Sequence, residues 1–557
     1  MACYPTVMLS KYFHELKSGG AFHGQTCSQP SIRLGRAYTP MEGVHLVRRV
    51  LAAAVAALTV TTAGTVTTGA PGQAALPGRA RPVPVTASPT PGSPGLGDSY
   101  FPDYGNGGYD VDHYDVRLRY EPATDRLSGT TTVLATATQD LSRFNLDFAL
   151  DVESVRVNGW PAGFAREGDH ELAVTAPRPI VKGQSLTVVV RYAGIPSRTK
   201  VYGYTGWTRT ADGALAANEP ESAWWWFPSN DHPLDKATFD ISVSVPTGVE
   251  VISNGVQPRA PLAEAGNRTR WSWRSVQPGT TYQAFIAIGQ YDIVTDTAPN
   301  GQPVVNAYST TLGERGPAAR ASIERTAEVV DWESGVFGPY PFEAQGGVAG
   351  PIDGIGFALE TQTRPVYGPG FWRRGSNPYV VVHENAHQWF GDSVSVADWS
   401  QIWLNEGFAS YAEWLWSEEQ GEGTAQELFD LTYAGYPADS EYWQVLPGDP
   451  GASRVFDDAV YDRGAMALHQ IRLAVGDDAF FRILPAWTAA HAHGNGTIAQ
   501  FQALAEQISG QDLDQVFTTW LFTAGRPEVA AAARASLAPA QPRSWAKIRA
   551  AHELLPR

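Results

Sequence analysis

Two hydrophobic patterns divide the chain. From about residue 108 to 296, apolar and polar residues alternate with a period of two, most clearly in YDVRLRY at 114–120. Turn dipeptides such as Asn158-Gly159 and Asn254-Gly255 separate the short apolar runs. Because successive side chains of a strand point to opposite faces of a sheet, this pattern predicts an antiparallel β-sandwich or saddle.

The spacing of apolar residues changes to that of helices from about residue 318 onward. The segment ARASIERTAEVVDWESGVFG, for example, repeats apolar residues every three or four positions. The same spacing predicts further helices near 378–391, 405–420, 424–435, 462–476, 477–490 and 498–508. We therefore predict a multidomain α+β fold, with a β-saddle domain over 108–296 and a mainly helical domain over 297–527. An Ala- and Pro-rich tail follows over 528–557, with one predicted helix in SWAKIRAAHEL.

The pattern of the first 107 residues predicts a signal peptide and a linker rather than a folded domain. An apolar run of 11 residues over 50–60 follows Arg48 and Arg49; it is too short to span a bilayer and suits the core of a signal peptide. We expect residues 1–40 to be a misassigned leader before the true start at Met41. A signal peptide over 41–75 and a Pro- and Gly-rich linker over 76–107 then follow. The predicted localisation is secreted, with retention at the cell surface as the alternative if the run stays uncleaved as an anchor.

Charge and cysteine content limit which partners and which metal ligands the chain can have. The net charge of −16 argues against nucleic acid, because phosphate contacts need clustered Lys and Arg. No stable membrane insertion of the mature chain is expected, because no later apolar run is long enough. Both cysteines, Cys3 and Cys27, lie in the first thirty residues. A metal ion in the two domains must therefore be held by His, Asp or Glu.

The clearest chemical signal lies in VVVHENAHQWFGDSVSVADWSQIWLNEGFASY. On a helix, His383 and His387 face the same way and can occupy two tetrahedral positions of Zn²⁺. Glu384 lies between them and can reach water at the metal without being a ligand, the arrangement of the H-E-x-x-H metallopeptidase motif. Glu406, 19 positions after His387, begins another helical segment and can complete a His₂Glu site. The spacing predicts one zinc ion per chain.

Two segments of this region, HENAHQWFG and WLNEGFASY, resemble the aminopeptidase N family, a gluzincin family of zinc metallopeptidases. The resemblance extends over most of 108–525 and implies a thermolysin-like catalytic domain behind an N-terminal β-saddle. It also implies a hydrolase that removes the first residue of peptides with a free N-terminus, with Glu384 as general base. The chain looks like a secreted bacterial-type member that lacks a large C-terminal helical domain.

Three further segments match motifs of that family. In GFALETQ, at 356–362, Glu360 takes the position that binds the substrate's α-amine, although Leu and Thr replace the family's Met and Asn beside it. In NEPESAWWWFPSNDHPLDKATF, at 218–239, Glu219 corresponds to the second amine-binding residue, while the three Trp are expected in the core. In VYDRGAMALHQIR, at 460–472, Tyr461 corresponds to the catalytic tyrosine that stabilises the oxyanion. The resemblance gives no role to Arg463, which replaces a frequent Lys.

Three other functions fit part of the same residue set. A zinc endopeptidase would share the metal site but not the amine recognition. An enzyme of the leukotriene-hydrolase type would open an epoxide at the same zinc. A non-catalytic binding module on a degenerate scaffold is the alternative from another class, and the oligomeric state is not predicted.

We predict that the N-terminus of the exported protein lies near residues 72–75, where small residues form a cleavage zone after the apolar run. Sequencing the N-terminus of protein from the culture medium measures this. Mature material that begins before Met41 would contradict both the start site and the signal peptide.

Overall fold

The computed structural model describes residues 88–529 and 541–555. The predicted leader, the signal peptide and the first part of the linker lie outside these ranges, as do 530–540 of the predicted tail. Within the described ranges, no helix is both long and apolar enough to cross a membrane.

The first half of the described chain is a β domain. Its strands are β1 Thr90–Pro91, β2 Tyr109–Glu121, β3 Arg126–Ala137, β4 Leu141–Asp147, β5 Asp151–Val157, β6 Trp160–Glu167, β7 Glu171–Ile180, β8 Ser185–Gly194, β9 Trp207–Arg209, β10 Ala214–Ala216, β11 Ala237–Pro246, β12 Glu250–Ser253, β13 Leu262–Glu264, β14 Arg268–Gly279 and β15 Ile286–Gly289. One sheet has the order β1-β4-β7-β6-β5-β8-β3-β2-β11-β14-β13, and a second has the order β12-β15-β10-β9. Neighbours are antiparallel except for β1–β4 and β2–β11, which are parallel.

The second half packs helices against a small mixed sheet. The helices are α1 Gly316–Ile323, α2 Thr326–Phe337, α3 Pro378–Ala386, α4 Trp403–Glu419, α5 Ala425–Gly435, α6 Gly464–Val475, α7 Asp477–Ala490, α8 Ile498–Ser509, α9 Asp514–Leu521 and α10 Trp545–His552. The strands β16 Tyr291–Thr297, β17 Pro303–Ser309, β18 Gln345–Ala349, β19 Ala358–Leu359 and β20 Val366–Tyr367 form the sheet in the order β16-β17-β18-β20-β19. Two short strands, β21 Val394–Val396 and β22 Gly494–Gly496, pair separately. The predicted α+β class, a β domain followed by a mainly helical domain, is confirmed.

Two helices lie at the centre of the second half. All nine residues of α3 are buried, and α4 is buried from Trp403 to Ser417. Asn377 caps α3 by accepting a hydrogen bond from Tyr379 N, and Pro378 occupies its first turn. The helix ends at Ala386, short of the predicted residue 391, and turns follow it up to Gly391, whose φ is +131°.

The boundary between the halves differs from the predicted 296/297. Strand β16 pairs with β17 over its whole length, so the sheet of the second half begins at Tyr291. The alternating pattern of β16 resembles that of the β domain, and periodicity does not reveal which sheet a strand joins.

The predicted linker is also only partly a linker. Its described residues, 88–107, add strand β1 to the β domain and then reach the helical half. The Asp98 carboxylate accepts a hydrogen bond from Trp399 N at 2.8 Å and lies 3.1 Å from His232 Nε2. Composition alone did not show these contacts, because single polar side chains rather than a hydrophobic pattern make them.

Arg463, which had no predicted role, connects the end of α9 to the neighbouring loops by hydrogen bonds. Its guanidinium donates to the backbone oxygens of Trp443, Val445, Thr519, Trp520 and Thr523 at 2.6–3.2 Å. Burial lowers the pKa of Arg463 to about 10. Because water does not reach the buried guanidinium, the five backbone oxygens accept the hydrogen bonds that water would otherwise accept.

We expect Arg463→Leu to lower the free energy of unfolding by about 3 kcal/mol, because it leaves several carbonyl groups without donors. Urea unfolding followed by fluorescence measures the change. Exposed Arg454→Leu is the matched control and is expected to stay within about 0.5 kcal/mol of the wild type. Equal effects of the two substitutions would contradict the role of Arg463.

Candidate metal centre and active site

The end of α3 and the start of α4 bring together the three predicted metal ligands. His383 lies in the last turn of α3, and His387 follows as its C-cap with helical φ and ψ, so the two imidazoles share a face. Glu406 lies in the first turn of α4, which packs directly against α3. The packing of the two helices therefore closes the 19-residue gap between His387 and Glu406.

The three donor atoms surround a single point. His383 Nε2 lies 3.3 Å from Glu406 Oε2, and His387 Nε2 lies 3.4 Å from the same oxygen. Ligands held tetrahedrally about zinc at 2.0–2.1 Å stand about 3.3–3.4 Å apart. The observed spacing therefore fits a zinc ion bound by these three residues.

Hydrogen bonds fix the tautomers of both imidazoles. His383 Nδ1 lies 2.8 Å from Glu413 Oε1, and His387 Nδ1 lies 3.0 Å from the backbone oxygen of Phe390. Both partners only accept, so each Nδ1 carries the proton and donates it. Each Nε2 can then offer a lone pair to a bound metal ion.

The electrostatics of the site favour a cation. The seven predicted site residues are only 1–6% exposed, so water screens their charges weakly. Burial would lower the pKa of His387, but the carboxylates of Glu406, Glu360 and Glu384 raise it well above its ordinary value. Burial would raise the pKa of Glu406, but His387 and His383 lower it to about 2. The same negative charges attract a divalent ion.

Glu384 lies beside this triangle. An oxygen of Glu384, an oxygen of Glu360 and a nitrogen of His387 all lie within 4.8 Å of one another. Burial raises the pKa of Glu384 to about 8, although His383 and His387 act in the opposite direction. A carboxyl group that titrates near neutral pH is suited to accepting and releasing a proton.

Two further carboxylates reach the site from different domains. Glu360 follows β19, and its Oε1 accepts a hydrogen bond from Tyr282 at 2.8 Å. Glu219 comes from the loop between β10 and β11 of the β domain. Burial, followed by the charges of Glu360 and Glu406, raises its pKa well above the ordinary value, and its Oε1 has no hydrogen-bond partner among the described residues. Two neighbouring buried acids whose charges interact in this way suit an ammonium group.

Tyr461 lies on the other side of His383. Its ring stacks on the imidazole with centroids 6.0 Å apart and an interplanar angle of 23°. The residue belongs to a π-helical turn, Ala459–Arg463, and such turns often occur at functional sites. Its buried hydroxyl has no partner within the described part of the chain and can donate to a bound molecule.

Comparison with known proteins places this geometry in a family. A model described as the Peptidase M1 N-terminal domain matches residues 110–283, and one described as the Peptidase family M1 domain matches residues 373–520. The crystal structure of an M1 zinc metallopeptidase from Deinococcus radiodurans is 30% identical, with a TM-score of 0.68, over 78% of this chain and 98% of that one. This chain belongs to peptidase family M1. The predicted resemblance to the aminopeptidase N family is thereby confirmed.

Other M1 relatives are longer than this chain. Aminopeptidase M1 of Arabidopsis thaliana is 25% identical over 460 residues, which are 75% of this chain and 50% of the plant protein. The chain thus spans about half the length of the curated relatives it matches. A mutant of the Deinococcus radiodurans enzyme, bound to a Tyr-Ser-Ala substrate, has the same identity and TM-score over 78% of this M1 chain and 99% of its own.

The structure adds residues to this M1 site that the sequence analysis missed. Glu413 could have been found, because it lies seven positions after Glu406 and therefore on the same face of α4. Tyr282, at the end of the β domain, and His552, in the tail, carry no motif. Of the two carboxylates near 220, only Glu219 faces the site, since Glu221 accepts a hydrogen bond from Tyr104 at 2.9 Å. The three tryptophans at 224–226 are fully buried, as expected for core residues.

Proposed function

We propose that this chain is a secreted zinc-dependent aminopeptidase that hydrolyses the N-terminal peptide bond of peptides. One observation carries the proposal: the buried acids Glu219 and Glu360 lie beside a His₂Glu triangle whose atoms have the spacing of zinc ligands. A metal at that triangle can act on a peptide bond, and the acids decide which bond reaches it.

His383, His387 and Glu406 would hold the zinc ion. The chemistry that zinc supplies at such a site is Lewis acidity, which lowers the pKa of water to about 7 and polarises a carbonyl group. Glu413 and the Phe390 carbonyl orient the two imidazoles for this purpose.

The proton transfers fall to Glu384. It accepts a proton from the attacking water and delivers it to the leaving amine. Tyr461 stacks on His383, and its hydroxyl has no partner among the described residues, so it donates a hydrogen bond to the oxyanion that forms as water attacks.

Glu219 and Glu360 make the enzyme an exopeptidase. Their carboxylates bind the α-ammonium group of the substrate, so that the first peptide bond lies at the metal. The hydrogen bond from Tyr282 holds Glu360 in place for this contact. An endopeptidase would have no use for two buried acids at this position, because an internal segment of peptide carries no ammonium group there.

Export completes the proposal. Its support is the Arg pair and apolar run within 41–75, a segment that lies outside the described residues.

We predict that Glu384→Gln lowers kcat for aminoacyl chromogenic amides by about 10²–10⁴ and leaves one zinc per chain, because the residue moves protons and is not a ligand. Glu406→Gln is expected to lose both zinc and activity. Metal analysis after dialysis and steady-state kinetics measure the two properties. Glu419→Gln, at the exposed end of α4, is the matched control. Full activity of Glu384→Gln would remove the assignment of the general base.

We predict that Glu360→Gln raises KM for substrates with a free amine by about 10–100-fold, because a charged hydrogen bond is lost. The measurement compares a free peptide with its N-acetylated form, which the wild type should cleave poorly. Equal cleavage of the two forms by the wild type would favour an endopeptidase. Zinc binding without hydrolysis of either form would favour a non-catalytic module.

A further inference from the structure

Helix α10, near the end of the described chain, lies against the helices that carry the metal ligands. Asn377 Nδ2, at the start of α3, donates to the backbone oxygen of Lys547 at 2.9 Å. Ser417 of α4 donates to Ser544 Oγ at 2.8 Å. Ile548 of α10 is 1% exposed and belongs to the main hydrophobic core. The helix is therefore an integral part of the catalytic half.

His552, the last residue of α10, lies between two buried carboxylates. Its Nε2 is 2.9 Å from Glu413 Oε1, and its Nδ1 is 3.0 Å from Asp462 Oδ1. Because carboxylate oxygens only accept, both ring nitrogens donate. Burial would lower the pKa of His552, but Glu413 and Asp462 raise it to about 10.

Each carboxylate connects His552 to a residue of the active site. Glu413 Oε1 also accepts the hydrogen bond from His383 Nδ1 at 2.8 Å. Its other oxygen, Oε2, has no hydrogen-bond partner among the described residues. Among the described residues, the hydrogen bonds to Glu413 thus come from His383 and His552, and removal of His552 leaves it with one.

Asp462 connects His552 to the other side of the site, because it directly follows Tyr461 in the π-helical turn. Its Oδ2 accepts from Arg549 at 2.7 Å and from Tyr436 at 2.5 Å. Helix α10 therefore supplies two cationic side chains to two buried acids. Without them, Glu413 and Asp462 would be buried carboxylates with too little positive charge nearby.

We propose that His552 is a positioning residue of the metal site. It holds His383 in the ligating orientation through Glu413, and it holds the turn that carries Tyr461 through Asp462. This inference rests on the proposed zinc site and assigns a role to the tail that the sequence motifs do not cover.

The experiment measures zinc affinity and catalysis separately. We expect His552→Ala to weaken zinc binding by about 10–100-fold, the range found when a residue that orients a ligand is removed. Competition with a chromophoric chelator measures the affinity, and the visible spectrum of the cobalt-substituted protein reports a changed ligand geometry. In kinetics at saturating zinc, kcat is expected to fall while KM for aminoacyl amides stays close to the wild-type value.

Added imidazole provides a rescue test. His552→Ala leaves a space of the right shape beside Glu413 and Asp462, so millimolar imidazole is expected to restore part of the zinc affinity and part of kcat. The wild type with the same imidazole corrects for any direct effect on the metal. His552→Phe keeps the ring volume but cannot donate, so it should bind zinc weakly with no response to imidazole.

Ile548→Ala is the matched control, because it loosens the packing of α10 without touching the polar contacts. We expect it to lower Tm and to leave zinc affinity and the cobalt spectrum unchanged. If His552→Ala and His552→Phe lower Tm but bind zinc as the wild type does, His552 only anchors the helix and the proposal is wrong. Should His552→Ala fail to fold, the Phe variant decides alone. Zinc affinity needs no peptide substrate, so a failure of the proposed peptidase function would not obscure the result.

Discussion

A buried carboxylate oxygen of Glu406, held 3.3 Å and 3.4 Å from the Nε2 atoms of His383 and His387, is the constraint on which the catalytic half depends. Such an arrangement is unfavourable without a cation, so rigid surroundings must hold it together. The structure supplies them in two fully buried helices, α3 and α4, whose packing sets the distance between the imidazoles and Glu406. Hydrogen bonds to each Nδ1 then orient the two imidazoles.

The other feature of the site is an excess of buried negative charge. Glu219, Glu360 and Glu384 gather around the metal triangle, and Glu413 and Asp462 lie behind it. Buried carboxylates are stable only when cations or protons accompany them. Positive charge is proposed at three places: a zinc ion at the metal triangle, a substrate ammonium group at Glu219 and Glu360, and the cationic side chains of α10 behind His383.

The β domain supplies side chains to the candidate active site, so the site needs both halves of the chain. Glu219 and Tyr282 belong to that domain, yet they interact with Glu360 of the helical half. The segment over 88–107 ties the same domain to the helical half through Asp98. The position of Glu219 relative to Glu360 therefore depends on how the two domains pack together. The metal triangle does not depend on it, because its three residues come from two adjacent helices of one domain.

The sequence by itself determined the α+β class and the order of the halves, because periodicity reports the type of each element. It also predicted His383, His387 and Glu406 as metal ligands, but only the two histidines lie within two turns of one helix. The packing of α3 against α4 brings Glu406 to them. The sequence also carried an overlooked signal for Glu413, seven residues beyond Glu406. Only the tertiary structure decided that part of the linker is folded, that β16 joins the second sheet and that His552 reaches Glu413 across 139 positions. The physical reason is that local patterns are encoded by neighbouring residues, whereas a contact between distant residues exists only once the whole core has packed around it.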